Sequence, residues 1–325
     1  MNYQIKVLLL SFAVSFVISL IVIPILKRLK VGQVEREEGP ESHLKKQGTP
    51  TMGGIIQILV TVIVILVIYL QYHNSEPGII NNLIPLALIS IGFGIIGFID
   101  DFKKLVLKDT TGLKPSYKMF GLLLISVAYV IFITKFASIG TDILIPIIKK
   151  SITIPIYLYI PFSILVILGT TNAVNLTDGI DGLATSITTI IIAFLTVVGI
   201  IYDIKEIVLL GSICCGANLA FLLFNMHPAK IFMGDTGSLF LGGLIASMAL
   251  YLKMPLILLI IALIPIFETL SVMIQVVHFK RTGKRVFKMT PIHHHFELSG
   301  WNENKIVIIF SVITLVLCVI GLYVI

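Results

Sequence analysis

Long apolar runs alternate with short polar segments along this chain. Of its 325 residues, 57% are hydrophobic and only 13% are charged. Runs of about 20 apolar residues match the thickness of a bilayer when they form helices. The pattern predicts ten membrane-spanning helices, at residues 5–26, 52–71, 83–99, 119–137, 156–174, 183–202, 206–224, 238–252, 254–277 and 306–325. No polar stretch is long enough for a separate folded domain, so we expect residues 1–325 to form one integral membrane domain of the all-α polytopic class.

The basic residues predict how the chain is oriented in the membrane. Most of the 24 Lys and Arg residues lie in three loops on one side, at 27–51, 100–118 and 278–305. This side is expected to be cytoplasmic, and ten spans then place both termini on the outer side. The net charge of +7 is accounted for by these loops, so it gives no indication of nucleic-acid binding.

One loop on the predicted outer side has a distinct pattern. Between residues 143 and 155, two β-branched runs flank the polar residues Lys149, Lys150 and Ser151. The pattern is typical of a small β-hairpin, although an irregular loop would have similar composition.

Acidic residues gather where apolar runs end on the predicted cytoplasmic side. Asp100 and Asp101 directly follow the span at 83–99, and Lys103 and Lys104 come next. A solvated helix end with local ion pairs explains this cluster. A catalytic base or metal ligand explains it too, because close carboxylates raise one pKa and attract a divalent ion.

The next cluster, Asn172 to Gly182, is more specific. Asp178 and Asp181 are three residues apart and would share a face of a helix, and Asn172 and Asn175 extend that polar stripe. No Lys or Arg lies nearby to neutralise the acids. A simple polar turn explains the glycines of this stretch but not four amide and acid groups, so we interpret it as part of a functional site.

Two further stretches carry candidate chemistry. Residues 234–238 read Gly-Asp-Thr-Gly-Ser at the start of a span, where backbone N–H groups can bind phosphate, although Asp235 could be only an N-cap. Phe232 precedes them and could stack on a base or simply anchor the loop. Residues 293–295 are three histidines, which bind metal or phosphate or shuttle protons, but only alternate members of an extended triple point the same way.

One carboxylate, Glu268, lies within a predicted span, and Gln275 follows about two turns later. A carboxylate at membrane depth is a candidate functional group, but Glu268 could equally bond to the backbone opened by Pro265.

Oxygen ligands dominate these clusters, and the three cysteines all lie in apolar runs without CxxC spacing, which favours Mg²⁺ or Mn²⁺ over zinc. Lys46, Lys104 and Lys118 near the acids suit an anionic, phosphate-bearing substrate. Together these features predict phosphoryl chemistry on a lipid.

The motifs resemble those of the phospho-N-acetylmuramoyl-pentapeptide-transferase family, within the polyprenyl-phosphate N-acetylhexosamine-1-phosphate transferase superfamily. The matching stretches are residues 48–54, 97–101, 172–182, 232–239 and 291–297. The acidic motifs are shared across the superfamily, whereas His-His-His-Phe-Glu is similar to the muramoyl-pentapeptide branch.

The resemblance implies an Mg²⁺-dependent transfer from UDP-N-acetylmuramoyl-pentapeptide to undecaprenyl phosphate, which gives lipid I and UMP at the cytoplasmic face of a bacterial cell membrane. It also implies a homodimer. By the same resemblance, Asp235 ligates the metal and Asp100 is the expected base, while Asp101, Asp178 and Asp181 complete the acidic pocket. The substrate-binding residues that it implies are Lys46, Thr51, Lys104, Lys118, Asn172, Asn175, Asn225, Phe232, Gln275, His294 and His295.

Three other functions compete with this hypothesis. A GlcNAc-1-phosphate transferase would share the acidic motifs but not the histidine stretch. A cation-coupled transporter would place carboxylates such as Asp178, Asp181 and Glu268 near the membrane midplane. A structural membrane scaffold would leave the acidic clusters unexplained.

Overall fold

The fold is a bundle of long helices with one small hairpin, described by a computed structural model for residues 3–29, 46, 48–107 and 112–325. Parts of the basic loops predicted at 27–51 and 100–118 lie outside these residues. The long helices are α1 (Tyr3–Arg28), α2 (Gly54–Tyr72), α3 (Pro77–Leu105), α4 (Pro115–Ile131, continued by a π-helical turn at Phe132–Phe136), α5 (Ile156–Thr177), α6 (Leu183–Ile201), α7 (Lys205–Asn225), α8 (Gly234–Tyr251), α10 (Leu263–Thr282) and α12 (Glu303–Val324). Short elements complete the fold: strands β1 (Asp142–Ile145) and β2 (Lys150–Thr153), the 3-10 turn Pro255–Ile257, and helices α9 (Leu258–Ile261) and α11 (Ile292–Glu297).

The all-α polytopic fold is confirmed, with one difference in the number of spans. Within the described ranges, nine helices are long and apolar enough to cross a membrane. The predicted span at 238–252 corresponds to α8, which is not among the nine. Every residue from Thr236 to Tyr251 in this helix is buried. It packs against α2, α3, α5 and α6, so its surroundings are protein and it needs less apolar surface than a lipid-facing helix.

Two helix boundaries differ from prediction in ways that affect the acidic residues. The span predicted at 83–99 continues to Leu105, so Asp100 and Asp101 lie in the last turns of α3 rather than after it. In these last turns Asp100 pairs with Lys104 four residues later, a spacing that supports a helix. The span predicted at 254–277 is interrupted at Ala262, which has φ −102° and ψ 25°, and α10 starts only at Leu263.

The predicted hairpin is confirmed and marks one end of the bundle, here called the hairpin end. Strands β1 and β2 pair antiparallel, with Asp142 opposite Thr153. The backbone N–H of Ile147 donates to Val324 at 2.9 Å, and Tyr3 Oη donates to Gln71 at 3.3 Å. Both ends of the described chain therefore lie at the hairpin end, as predicted, because the ten long helices, with the buried α8 among them, take the chain from end to end of the bundle.

Candidate active site

The acidic residues meet at the opposite end of the bundle, where three helix ends approach each other closely. The backbone N–H groups of Gly53 and Gly54 donate to Phe232 and Met233 at 2.9 and 3.0 Å, which joins the start of α2 to the start of α8. A Cβ on Gly54 would overlap the backbone of Gly237. Glycine is therefore required here for the two helices to approach backbone to backbone.

The end of α3 approaches the same point. A Cβ on Gly97 would overlap the backbone of Asp235, so α3 also needs glycine where it crosses α8. One turn later, Asp101 accepts hydrogen bonds from the backbone N–H of Thr236 at 2.9 Å, from Thr236 Oγ1 at 2.6 Å and from the N–H of Asp235 at 3.3 Å. Asp101 therefore caps the N-terminus of α8, where a negative charge is favourable.

The neighbouring carboxylates of Asp100 and Asp235 share two lysines. Asp100 Oδ2 lies 2.9 Å from Lys104 Nζ and 3.1 Å from Lys118 Nζ. Asp235 Oδ2 lies 3.3 Å and 2.7 Å from the same two nitrogens. The other oxygen of Asp235 accepts from Asn175 Nδ2 at 2.8 Å. Two carboxylates and two ammonium groups are thus held in one mixed-charge centre, which we call the shared centre (Asp100, Lys104, Lys118 and Asp235).

The geometry of the shared centre suits a phosphorylated ligand. Asp100 is 2% exposed, whereas the side chains of Lys104, Lys118 and Asp235 are 39%, 21% and 21% exposed, so the centre is partly open to solvent with Asp100 as its most buried member. Lysine binds phosphate as a mobile point charge. The two ammonium groups therefore lie where an anionic ligand can pair with them.

A fourth aspartate, Asp178, follows the last turn of α5 beside this centre. Burial, and then the negative charges of Asp235 and Asp101, raise the pKa of Asp178 to about 8. Its ordinary value is about 3.9, so burial, together with the neighbouring negative charges, favours the protonated form of this carboxyl at neutral pH.

The predicted pair Asp178 and Asp181 separates into two sites. Asp181 is 4% exposed and accepts from Lys46 Nζ at 2.8 Å, from His227 Nδ1 at 2.9 Å and from the N–H of Ala229 at 3.0 Å. Lys46 also donates to Glu303 Oε2 at 2.6 Å. We call these four side chains (Lys46, Asp181, His227 and Glu303) the second network.

The second network contains a possible metal-ligand set. One ligand atom each from Asp181, His227 and Glu303 lies within 4.8 Å of the others. Lys46 already supplies a cation between the two carboxylates. Burial alone would lower the Lys46 pKa, but hydrogen bonds from Lys46 to Asp181 and Glu303 outweigh it and raise the pKa. An ammonium group thus occupies the position that a metal ion would need.

Of four other predicted residues, Thr51, Asn225 and Phe232 have contacts within the protein near these centres, and Asn172 does not. Thr51 is buried with its hydroxyl beside Gly234. Asn225 is 3% exposed, accepts from Thr185 Oγ1 at 2.6 Å and donates to the carbonyl of Ile231 at 3.0 Å. Their roles in substrate binding stay predictions, and both also order the loops around the site. Phe232 is partly buried, and its backbone pairs with residues 50 and 53. Asn172 is exposed on α5, away from the hydrogen bonds of both clusters.

The remaining predicted residues organise the loop between α10 and α11. Gln275 accepts from the N–H groups of Val286 and Phe287 at 2.9 and 3.0 Å and donates to the carbonyl of Phe287. His294 Nδ1 lies 2.7 Å from Glu297, and His295 Nδ1 accepts from the N–H of Lys288 at 3.2 Å. The side chain of Gln275 thus shapes the loop that borders the site.

Sequence reasoning missed three side chains: Glu303, His227 and His293. Glu303 stands in the first turn of α12 after the N-cap Asn302, which is an ordinary place for a glutamate. His227 lies in a loop that was considered only for Asp235 and Phe232. His293 was set aside in favour of its neighbours, yet it is fully buried. The hydrophobic neighbours of His293 in sequence were the available signal for burial.

Comparison with known proteins identifies the class. The family model for glycosyl transferase family 4 matches residues 83–253, which include α3 to α8 and hence the shared centre. The phospho-N-acetylmuramoyl-pentapeptide-transferase signature 1 matches residues 46–56, which include Lys46 and Thr51. The fold and the site are therefore those of a multi-pass membrane transferase.

Curated relatives match nearly the whole chain. The chain is 48% identical over 319 residues to the phospho-N-acetylmuramoyl-pentapeptide-transferase of Acetivibrio thermocellus, covering 98% of this chain and 94% of that protein. It is 51% identical over 315 residues to the protein of that name from Clostridium botulinum strain Eklund 17B (97% and 94% covered). For Clostridium perfringens strain 13 the identity is 49% over 319 residues (97% and 96% covered). The chain therefore belongs to the phospho-N-acetylmuramoyl-pentapeptide-transferases of glycosyl transferase family 4.

Proposed function

We propose that the protein transfers phospho-N-acetylmuramoyl-pentapeptide from UDP-N-acetylmuramoyl-pentapeptide to undecaprenyl phosphate, forming lipid I and releasing UMP. The observation that carries this proposal is the shared centre, in which two lysines bridge Asp100 and Asp235 at one end of a membrane bundle. A lipid phosphate and a soluble nucleotide can both reach such a position, because it borders the bilayer and water.

The reaction joins two anions, so its main barrier is electrostatic. An oxygen of the lipid phosphate attacks the phosphorus next to the sugar, and the bond from that phosphorus to the bridging oxygen breaks, with UMP leaving. Lys104 and Lys118 offset the repulsion between the reactants and the charge that develops on the leaving group. Asp100 accepts the proton of the attacking phosphate, if that phosphate is protonated, at the oxygen now paired with the lysines.

The residues of the site fit a divalent cation of the magnesium type. The donor set is made of carboxylate oxygens, and the negative charges of Asp235 and Asp101 add to burial in raising the pKa of Asp178. Asp235 and Asp178 would hold the ion. When bound, Mg²⁺ supplies charge neutralisation for the diphosphate and its leaving group. Asp101 would act indirectly, by fixing the start of α8 and thereby the carboxylate of Asp235.

We also propose that the shared centre faces the cytoplasm and that the protein works as a homodimer in a bacterial cell membrane. The basic residues near the site support the orientation, since Lys280, Arg281, Lys284 and Arg285 all lie at the acidic end. The nucleotide-linked donor would then meet the site from the cytoplasm. Light scattering of the purified protein, corrected for detergent, tests the dimer.

The test is UMP release by purified protein with undecaprenyl phosphate and Mg²⁺. We expect activity with UDP-N-acetylmuramoyl-pentapeptide and none with UDP-GlcNAc. Asp235→Ala and Asp100→Asn should each abolish release while the protein still folds, because each removes a carboxylate that the chemistry needs. Asp142→Asn is the matched control, since Asp142 forms an ion pair with Lys253 at 3.2 Å at the hairpin end.

Turnover at the wild-type rate in either variant would remove the role assigned to that aspartate. Preference for UDP-GlcNAc would instead identify a GlcNAc-1-phosphate transferase. Lack of release with both donors from folded wild-type protein would reject the proposed reaction.

A further inference from the structure

A carboxylate and an imidazole are completely buried next to the site without a role in the reaction above. Glu268 on α10 and His293 on α11 are both 0% exposed. His293 Nδ1 lies 3.1 Å from Glu268 Oε2, and the backbone N–H of His293 donates to the same oxygen at 3.4 Å. Glu268 therefore holds the start of α11 through both its backbone and its side chain.

Burying such a pair costs free energy in a membrane protein. A buried ionisable group loses its hydration and needs partners in return. Glu268 Oε1 and both ring nitrogens of His293 have no hydrogen-bond partner within the described part of the chain, so the contact of Nδ1 with Glu268 Oε2 is a close approach without hydrogen-bond geometry. Some polar atoms of the pair thus make no hydrogen bond. Tightly packed apolar residues would join α10 to α11 at a lower cost in free energy.

On another part of its ring, the His293 imidazole contacts the acidic site. A Cβ on Gly179 would overlap Nε2 of His293, so the ring lies directly against the backbone of Gly179. Gly179 is the residue after Asp178. An unbroken set of contacts therefore runs from Glu268 through His293 to Gly179, and the peptide bond continues it to Asp178.

We propose that Glu268 and His293 form a buried strut that positions Gly179, and through it the Asp178 carboxylate, for the transfer reaction. The two are positioning residues, since neither touches the shared centre. The strut rests on the proposed function for its effect on turnover, but its effect on the Asp178 loop can be measured separately.

The first experiment compares Glu268→Ala with Glu268→Gln. The alanine variant removes the strut, and a loop displacement near the reacting atoms should lower kcat by about 10- to 100-fold with little change in KM. The glutamine oxygen can still accept from the His293 backbone N–H and fills the same volume beside the ring, so this variant should retain most of the kcat. Glu76→Ala is the control, because it breaks an ion pair with Lys205 of 2.6 Å at the hairpin end.

The second experiment tests the contact with Gly179 by a double-mutant cycle. Gly179→Ala alone places a methyl group against the imidazole and should lower kcat by a similar factor. In His293→Ala the ring is absent, so adding Gly179→Ala should cost little more. Gly169→Ala is the matched control on α5, since a Cβ at Gly169 meets nothing within 4 Å.

Hydrogen exchange measured by mass spectrometry separates failure of the strut from failure of the proposed function. The peptide covering residues 175–183 should exchange faster in Glu268→Ala and His293→Ala than in wild type, and at the wild-type rate in Glu76→Ala. Unchanged exchange and kcat in folded Glu268→Ala, equal losses in the alanine and glutamine variants, or additive effects in the cycle would each overturn the strut. An inactive wild-type protein would reject the transfer reaction while the exchange data still decide the strut.

Discussion

Replacing Lys46 by methionine should destabilise this protein more than replacing a surface lysine. Lys46 Nζ lies 2.8 Å from Asp181 and 2.6 Å from Glu303, and the side chains of the three residues are 11%, 2% and 6% exposed. With an effective dielectric constant of about 20, each attraction is worth about 6 kcal/mol. The cost of desolvating the ammonium offsets several kcal/mol of this.

The net loss of stability comes mainly from the two carboxylates that the substitution leaves without their cation. Methionine preserves most of the side-chain volume but leaves two buried carboxylates that share the His227 imidazole and backbone N–H donors and have lost their cation. Removing one partner of a buried ion pair typically costs about 3–5 kcal/mol, and we expect Lys46→Met to fall in this range.

The assay is thermal unfolding in detergent, followed by near-UV circular dichroism, at pH 7 and at pH 5. At pH 5 one of the orphaned carboxylates can take up a proton, so the difference between variant and wild type should shrink. Lys205→Met is the control, because Lys205 is 55% exposed in its pair with Glu76 and should leave the melting temperature unchanged. If Lys46→Met has the same melting temperature as wild type at both pH values, the electrostatic account of the second network is refuted.

Two further predictions concern pH and backbone packing. Burial and the neighbouring carboxylates raise the Asp178 pKa to about 8, well above its unfolded value of about 3.9, so the folded state holds this proton more tightly. In a chelating buffer, stability should therefore fall as pH rises from about 4 to about 8, and Asp178→Asn should flatten that part of a plot of melting temperature against pH; an unchanged slope would contradict the assignment. Gly54→Ala should lower both stability, by at least about 1–3 kcal/mol, and UMP release, because the new methyl group overlaps the backbone of Gly237 at the start of α8. Gly78→Ala adds a methyl group that meets nothing within 4 Å and should behave as wild type in melting and turnover; equal behaviour of the two alanine variants would show that α2 and α8 do not need this close approach.

The gathering of aspartates at one end of the bundle was predictable because each of them stands at an equivalent place, where an apolar run meets a loop. Asp100, Asp178 and Asp235 all stand at or near the end of an apolar run, and alternation of spans puts those ends on one side. The structure brings Asp100 and Asp235 to the same two lysines, as the hypothesis of one pocket required. The hairpin was predictable for a similar local reason, since β-branched runs flank a polar turn.

The hydrogen-bond and ion-pair partners of each aspartate were not predictable in the same way. The motif at 178–182 suggests that Asp178 and Asp181 act together, but Asp181 turns to Lys46, His227 and Glu303. These partners come from distant helices and loops, and their approach depends on how each helix is rotated about its axis. A pattern of apolar positions gives the buried face of a helix only approximately, which is too coarse to assign a hydrogen bond.

The sequence by itself determined a membrane-embedded bundle of helices, with its acidic groups at one end and its termini at the other, because hydrophobic length and charge act locally along the chain. Only the tertiary structure decided that Asp101 caps α8, that Lys46 stands between two carboxylates and that Glu268 supports His293. Those contacts depend on glycines that let backbones meet and on burial from several helices at once. Both are properties of the packed molecule, and no single segment specifies them.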